Sequence, residues 1–190
     1  MDADRMPAAS LAVLGLSTTT GTPPLIVQAE VLHLTGGRIT GGPFTYWVAP
    51  DTSMAEVPLR CWPTLRLAPP WSEVAGRLVE RLAGRTVVVH EPDRLDVLRH
   101  HLPDWHPHGV LVTRELAQQL WPRLGGYDLD PLTAHITNHR VERVGPGAVA
   151  EAQAIALLLG ALLPAATHPA PQPAHLHRPA APARPEHQWR

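Results

Sequence analysis

An α/β fold, with a mixed central sheet that is antiparallel at one edge and parallel elsewhere and helices on its faces, is what this 190-residue sequence predicts. Three observations carry the expectation. Gly36-Gly37, followed by Arg38, joins two alternating apolar runs, which is a hairpin signal. Between residues 72 and 113, short apolar β-branched runs alternate with amphipathic stretches, the order of a strand–helix–strand unit. Residues 148–163 are apolar almost throughout, interrupted by Glu151 and Gln153, as in a helix buried in a core.

The elements follow in order. Residues 11–16, 25–34 and 39–49 are the first three strands, broken by Thr20-Gly21-Thr22-Pro23-Pro24 and by the glycine pair, so they form an antiparallel meander. Ser72 is placed to cap a helix whose Val74, Leu78, Val79 and Leu82 share one face, and Gly84 stands where that helix stops. Residues 86–90 form a short buried strand. Asp93 is placed to cap a helix carrying Leu95, Leu98 and Leu102, and residues 108–113 form the next strand. Thr113 caps a helix with Leu116, Leu120 and Trp121 inward, ended by Pro122, and Asp130-Pro131 opens another. The last helix spans roughly residues 147–163.

This is one folding unit: an extension over residues 1–9, a domain over 10–163 and a tail over 164–190. The tail holds seven prolines and four histidines without hydrophobic periodicity, so an extended, solvated coil is expected there. All 16 basic residues are arginine and the net charge is -1; residues 1–163 carry 13 arginines against 16 acids. That balance excludes coating a nucleic acid by overall charge, though not through a local groove. The single cysteine, Cys61, excludes an internal disulfide and a cysteine-rich zinc site and fits a reducing, cytoplasmic location. No apolar run has the pattern of a signal peptide or a membrane span, so no membrane partner is expected.

Several side-chain groups invite a sharper interpretation. His100, His101, Asp104, His106 and His108 have ligand chemistry at close spacing, but Pro103 and Pro107 put them in a loop where nothing enforces convergence, so a solvated loop is expected. Of six tryptophans, Trp47 and Trp121 belong to the core, while Trp62, Trp71 and Trp105 flank prolines and are expected to be partly exposed. Arg77, Arg81 and Arg85 recur four residues apart. Such a stripe is able to track phosphates, but a solvated helix face paired with Glu73 and Glu80 is the expectation.

The order of motifs resembles the DEDDh-type 3′–5′ exonucleases, whose domains have a ribonuclease H-like three-layer fold. The likeness runs from about residue 11 to residue 163. Their opening Asp-x-Glu-Thr-Thr-Gly strand corresponds to Leu14-Gly15-Leu16-Ser17-Thr18-Thr19-Thr20-Gly21, with one residue inserted. Val27-Gln28-Ala29-Glu30-Val31, Gly37-Arg38-Ile39 and Pro50 match the strands that follow. Ala68-Pro69, then Trp71-Ser72-Glu73-Val74, leads to Gly84-Arg85-Thr86-Val87-Val88-Val89-His90, similar to the family's strand ending in His-Asn.

The resemblance implies four carboxylates holding two magnesium or manganese ions and a histidine base. Here the carboxylate positions fall on Gly15, Ser17, Leu95 and Glu151, and the base falls on Pro146. Asp93 and Asp96 flank Leu95, and His139 lies upstream of Pro146. Asp96 and Glu151 are therefore the candidate metal ligands. Thr18, Thr19, Trp62 and His90 are the candidate nucleic-acid contacts. With two acids and the base replaced, a catalytically inactive exonuclease-like module is expected, needing no cofactor and binding a nucleic-acid 3′ end or a protein as a regulator or scaffold. Two alternatives stand beside it: an active exonuclease on DNA or RNA 3′ ends that uses magnesium or manganese, and an assembly domain with a proline-rich interaction tail.

Overall fold

The structure is a computed structural model that describes residues 10–51, 62–137 and 147–167. Its five strands are β1 (Ser10–Thr18), β2 (Ile26–Thr35), β3 (Arg38–Trp47), β4 (Thr86–Val89) and β5 (Gly109–Val112). Its helices are α1 (Trp62–Leu65), α2 (Trp71–Leu82), α3 (Asp93–His101), α4 (Thr113–Leu120), α5 (Leu129–Thr137) and α6 (Gly147–Thr167). The sheet order is β3-β2-β1-β4-β5. β1, β2 and β3 pair antiparallel, and β4 pairs parallel with both β1 and β5. The expected mixed α/β sheet is therefore present. Gly36 and Gly37, with φ of 57° and 75°, make the two-residue turn that sets Thr35 opposite Arg38.

Alternation along the strands divides the core into two layers. Ala12, Leu14 and Leu16 of β1, with Val87 and Val89 of β4, pack with Val74, Leu78 and Leu82 of α2 and Leu95 and Leu98 of α3. Leu11, Val13, Leu32, Leu34 and Val88 face the other way, onto Ala117 of α4, Leu132 of α5 and Ile155, Leu158, Leu159 and Leu162 of α6. The last four side chains are fully buried, each contributing about 1.5–3 kcal/mol of transfer free energy. α6 is long and apolar enough to cross a membrane, but these residues sit against the sheet, as expected for a core helix.

Several local expectations need correction. Ser72 and Asp93 cap nothing: α2 and α3 begin behind Pro70 and Pro92, without a side-chain capping bond. Proline's fixed φ starts each helix instead. Thr113 is not a cap either, because its hydroxyl engages His90 at 3.0 Å. Trp105, expected to be partly exposed, is buried against the α2–α3 layer. α6 continues through Pro164 to Thr167, past the expected end at 163. Residues 1–9 and 168–190, with Cys61, His139 and Pro146, lie outside the described residues.

The sheet and α6 approach each other closely at Gly15. A Cβ built there lands on the Ala148 carbonyl oxygen and comes within 2.9 Å of the Ala152 amide nitrogen, both backbone atoms of α6. Ser17, on the same face two residues on, meets Gly147 in the same way: a Cβ on Gly147 would strike its Oγ. Gly76, in α2, has nothing within 4 Å of the corresponding position. Gly15→Ala is accordingly expected to lower unfolding free energy in urea by about 2–4 kcal/mol, since rigid backbone must shift. Gly76→Ala should raise it by about 0.5–1 kcal/mol through helix propensity.

Candidate functional site

A cleft of about 440 Å³ opens at the C-terminal ends of β1 and β4, between α3 and α6. Ligands of open α/β sheets gather at such strand ends. β1 pairs with β4 only from Leu11 to Val13, so beyond Val13 it has no strand beside it there. Glu151 fills the gap: its Oε2 accepts the Leu16 backbone N–H at 2.9 Å, and its Oε1 accepts Arg94 Nε at 3.3 Å. The Glu151 side chain is 10% exposed and that of Arg94 29%, so the pair is screened from water on the α6 side.

The remaining acids of the cleft are also matched to guanidinium. Arg114, which α4 presents from below, donates to both Glu91 oxygens at 2.6 Å and lies 3.7 Å from Asp128. Buried His90 has both ring nitrogens engaged: Nε2 donates to the Tyr127 carbonyl at 2.9 Å, which leaves Nδ1 to accept the Thr113 hydroxyl at 3.0 Å. Burial pushes its pKa below the usual imidazole value, with neighbouring Glu91 opposing, so the ring is neutral near pH 7 and has no free lone pair for a base or ligand role.

The positions singled out in the sequence are thus only partly brought together. Ser17, Thr18, His90 and Glu151 line the cleft. Gly15 lies behind it, closed over by α6. Leu95 is buried in the α2–α3 core layer. Asp96 points away from the cleft, with a side chain 76% exposed and paired to Arg99 at 3.3 Å, and exposed Asp93 lines no part of it. Thr19 is buried and closes the β1–β2 connection, its Oγ1 accepting the Leu25 N–H at 2.9 Å. The Trp62 side chain and Pro146 lie outside the described residues. Sequence reasoning missed Arg94, Glu91, Arg114 and Asp128. The available signal was Arg94 itself, a cation one residue from a family carboxylate position.

Magnesium or manganese in a two-ion site needs several carboxylate oxygens converging without other claims on their lone pairs. The described residues do not fit that requirement. Gly15 has no room for a side chain, Leu95 supplies no oxygen, and Glu151 is committed to Leu16 and Arg94. Among the described residues no three His, Cys, Asp or Glu side chains gather as a metal site, and that includes the histidines of the α3–β5 loop.

A sheet of this order with helices on both faces and a cleft at the β1–β4 ends has the architecture of ribonuclease H-like exonuclease domains. The solved structures similar to it bear this out. The nuclease domain of 3′hExo, a DEDDh family member bound to rAMP, superposes with a TM-score of 0.65 at 10% identity, over 86% of this chain and 94% of that one. Exonuclease X in complex with 5′ overhanging duplex DNA gives 0.61 at 20% identity, over 83% and 93%. A 3′-exonuclease in 3′-end specific recognition of a histone mRNA stem-loop gives 0.66 at 10% identity, over 84% of each chain. At these identities the likeness is one of fold. No family model matches the sequence, and no curated protein does.

Beside the cleft, Glu30 of β2 stands opposite Gly15 and is fully buried, receiving one hydrogen bond from Thr45 while its Oε1 has no partner. Burial raises its pKa above the ordinary value of 4.5, with the Thr45 bond opposing. A carboxyl that holds its proton more tightly when folded costs stability as pH rises through 4.5 towards the raised value, and the loss is complete above it. Glu30→Gln should therefore match the parent's melting temperature near pH 4 and exceed it increasingly towards pH 7 in thermal scans. A difference independent of pH would contradict this.

Proposed function

We propose that this chain is an exonuclease-fold domain that does not hydrolyse phosphodiesters and uses its cleft to hold a nucleic-acid 3′ end as a regulatory or scaffold module. The observation that carries the proposal is the α6 backbone lying where a side chain at Gly15 would have to be. In-line hydrolysis of this class depends on metal ions activating water and neutralising the developing charge, and each needs anionic ligands fixed in place. The resemblance puts one of those ligands at Gly15, where no substitution fits without moving α6. Glu151, the acid retained at a family position, serves the structure instead, satisfying a buried backbone donor on β1 and neutralising Arg94.

What remains suits recognition. Ser17 and Thr18 offer hydroxyls at the mouth. Arg94 spends its Nε on Glu151, and its two terminal nitrogens bind no other described residue, so they are available to a terminal phosphate. The similar structures support a nucleic acid as the occupant, since one was solved in recognition of an mRNA stem-loop and another in complex with duplex DNA.

The test is a digestion assay with 5′-labelled single-stranded DNA and RNA, run with manganese and then with magnesium. No shortening is expected from the parent chain or from Glu151→Gln. Stepwise loss from the 3′ end by the parent, abolished in Glu151→Gln, would establish the metal-dependent exonuclease instead.

A further inference from the structure

The far end of the sheet carries a charged face that the cleft does not use. Arg85 immediately precedes β4, whose other end leads to His90, so this region is separated from the cleft by the length of the strand. Arg77 and Arg81, both exposed on α2, reach over the aromatic rings of edge strand β3. The Arg77 guanidinium carbon is 5.4 Å from the Tyr46 ring centroid, and that of Arg81 is 4.2 Å from the Phe44 centroid. Rings beneath the guanidinium planes hold them in place and leave their edges free to donate.

The expected pairing of these arginines with Glu73 and Glu80 does not occur: among the described residues no ion pair joins Arg77, Arg81 or Arg85 to any carboxylate. His33 of β2 completes the group, with Nε2 at 2.8 Å from the Arg81 carbonyl and its ring 5.0 Å from that of Phe44. Burial lowers the His33 pKa, its bond to the Arg81 carbonyl opposes this, and the charges of Arg85 and Arg81 lower it further. The local field is thus positive on a chain whose overall charge is -1.

We propose that this α2–β3 face is a second site, one for the phosphodiester backbone of a single-stranded nucleic acid. Residues four apart on a helix are about 6 Å apart along its axis, so Arg77 and Arg81 set two cations in a row along one side of α2. Beside Arg77 opens a recess of about 570 Å³ lined by Tyr46, Trp47 and Leu67, the last 90% exposed. A row of arginines alongside an aromatic, apolar recess is the combination that grips a backbone and lets bases stack. An acidic polypeptide would use the arginines but has no planar groups in series for the recess.

A circular single-stranded oligonucleotide separates the two sites, because it has no 3′ end for the cleft. Binding of a fluorescein-labelled circle to the full chain is followed by anisotropy from 50 to 200 mM salt. The parent is expected to bind with log affinity falling against log salt at a slope of about −2, the value for three neutralised phosphates of a single strand. Arg77→Glu/Arg81→Glu/Arg85→Glu should lose at least tenfold in affinity and most of the slope, while the corresponding lysine variant, with the same fold and charge, should stay within about threefold of the parent. Failure of the parent to bind the circle overturns the proposal, as does equal binding by the glutamate variant. Displacement of the circle by polyglutamate at equal charge concentration overturns it too, and assigns the face to an acidic polypeptide. The cleft proposal is tested separately, by whether a linear strand with a free 3′ end still binds the Arg77→Glu/Arg81→Glu/Arg85→Glu chain, to which the circle no longer binds.

Discussion

One contact organises much of this domain: the backbone of α6 pressed onto β1 at Gly15. The apolar face of α6, with Ile155, Leu158, Leu159 and Leu162 buried against Leu11, Val13, Leu32 and Leu34, brings the helix down onto the sheet. At Gly15 the absence of a side chain allows backbone to approach backbone, and at Gly147 it makes room for the Ser17 side chain. That approach carries Glu151 to the orphan N–H of Leu16, past the point where β4 stops pairing with β1. Packing, the absence of a side chain at Gly15 and the hydrogen bonding of Glu151 are parts of the same arrangement.

Electrostatics at the two ends of the sheet run in opposite senses. At the C-terminal ends of β1 and β4, Glu151, Glu91 and Asp128 face Arg94 and Arg114, so the acids there are neutralised by guanidinium rather than gathered around a common centre. A guanidinium is planar and directional, and it satisfies carboxylate oxygens without activating a water molecule. At the other end, Arg77, Arg81 and Arg85 lie on aromatic or backbone neighbours with no carboxylate beside them among the described residues. A chain nearly neutral overall can therefore carry one cleft of paired acids and one positive face.

Most of the architecture was legible in the sequence because its signals are local and periodic. The Gly36-Gly37 hairpin, the strand–helix alternation and the apolar run of α6 each follow from dihedral preference or hydrophobic spacing. Helix starts were less legible. Ser72, Asp93 and Thr113 are good capping residues by type, but Pro70 and Pro92 start two of the helices and His90 engages the Thr113 hydroxyl. Glu151 was recognisable from its place in the motif order. Its partners were not, since Arg94 is 57 residues away and the Leu16 N–H is 135 residues away. The burial of Trp105 and of Glu30 likewise depends on distant elements closing over them.

The most direct measurement of the central claim is manganese electron paramagnetic resonance, in which the sharp six-line signal of the free ion broadens away when carboxylates capture it. With the chain in excess over manganese, the free-ion signal is expected to be the same as in buffer, because among the described residues no set of uncommitted carboxylate oxygens converges at the β1–β4 cleft. Loss of that signal with a stoichiometry of one or two ions per chain, reversed in Glu151→Gln, would contradict the account.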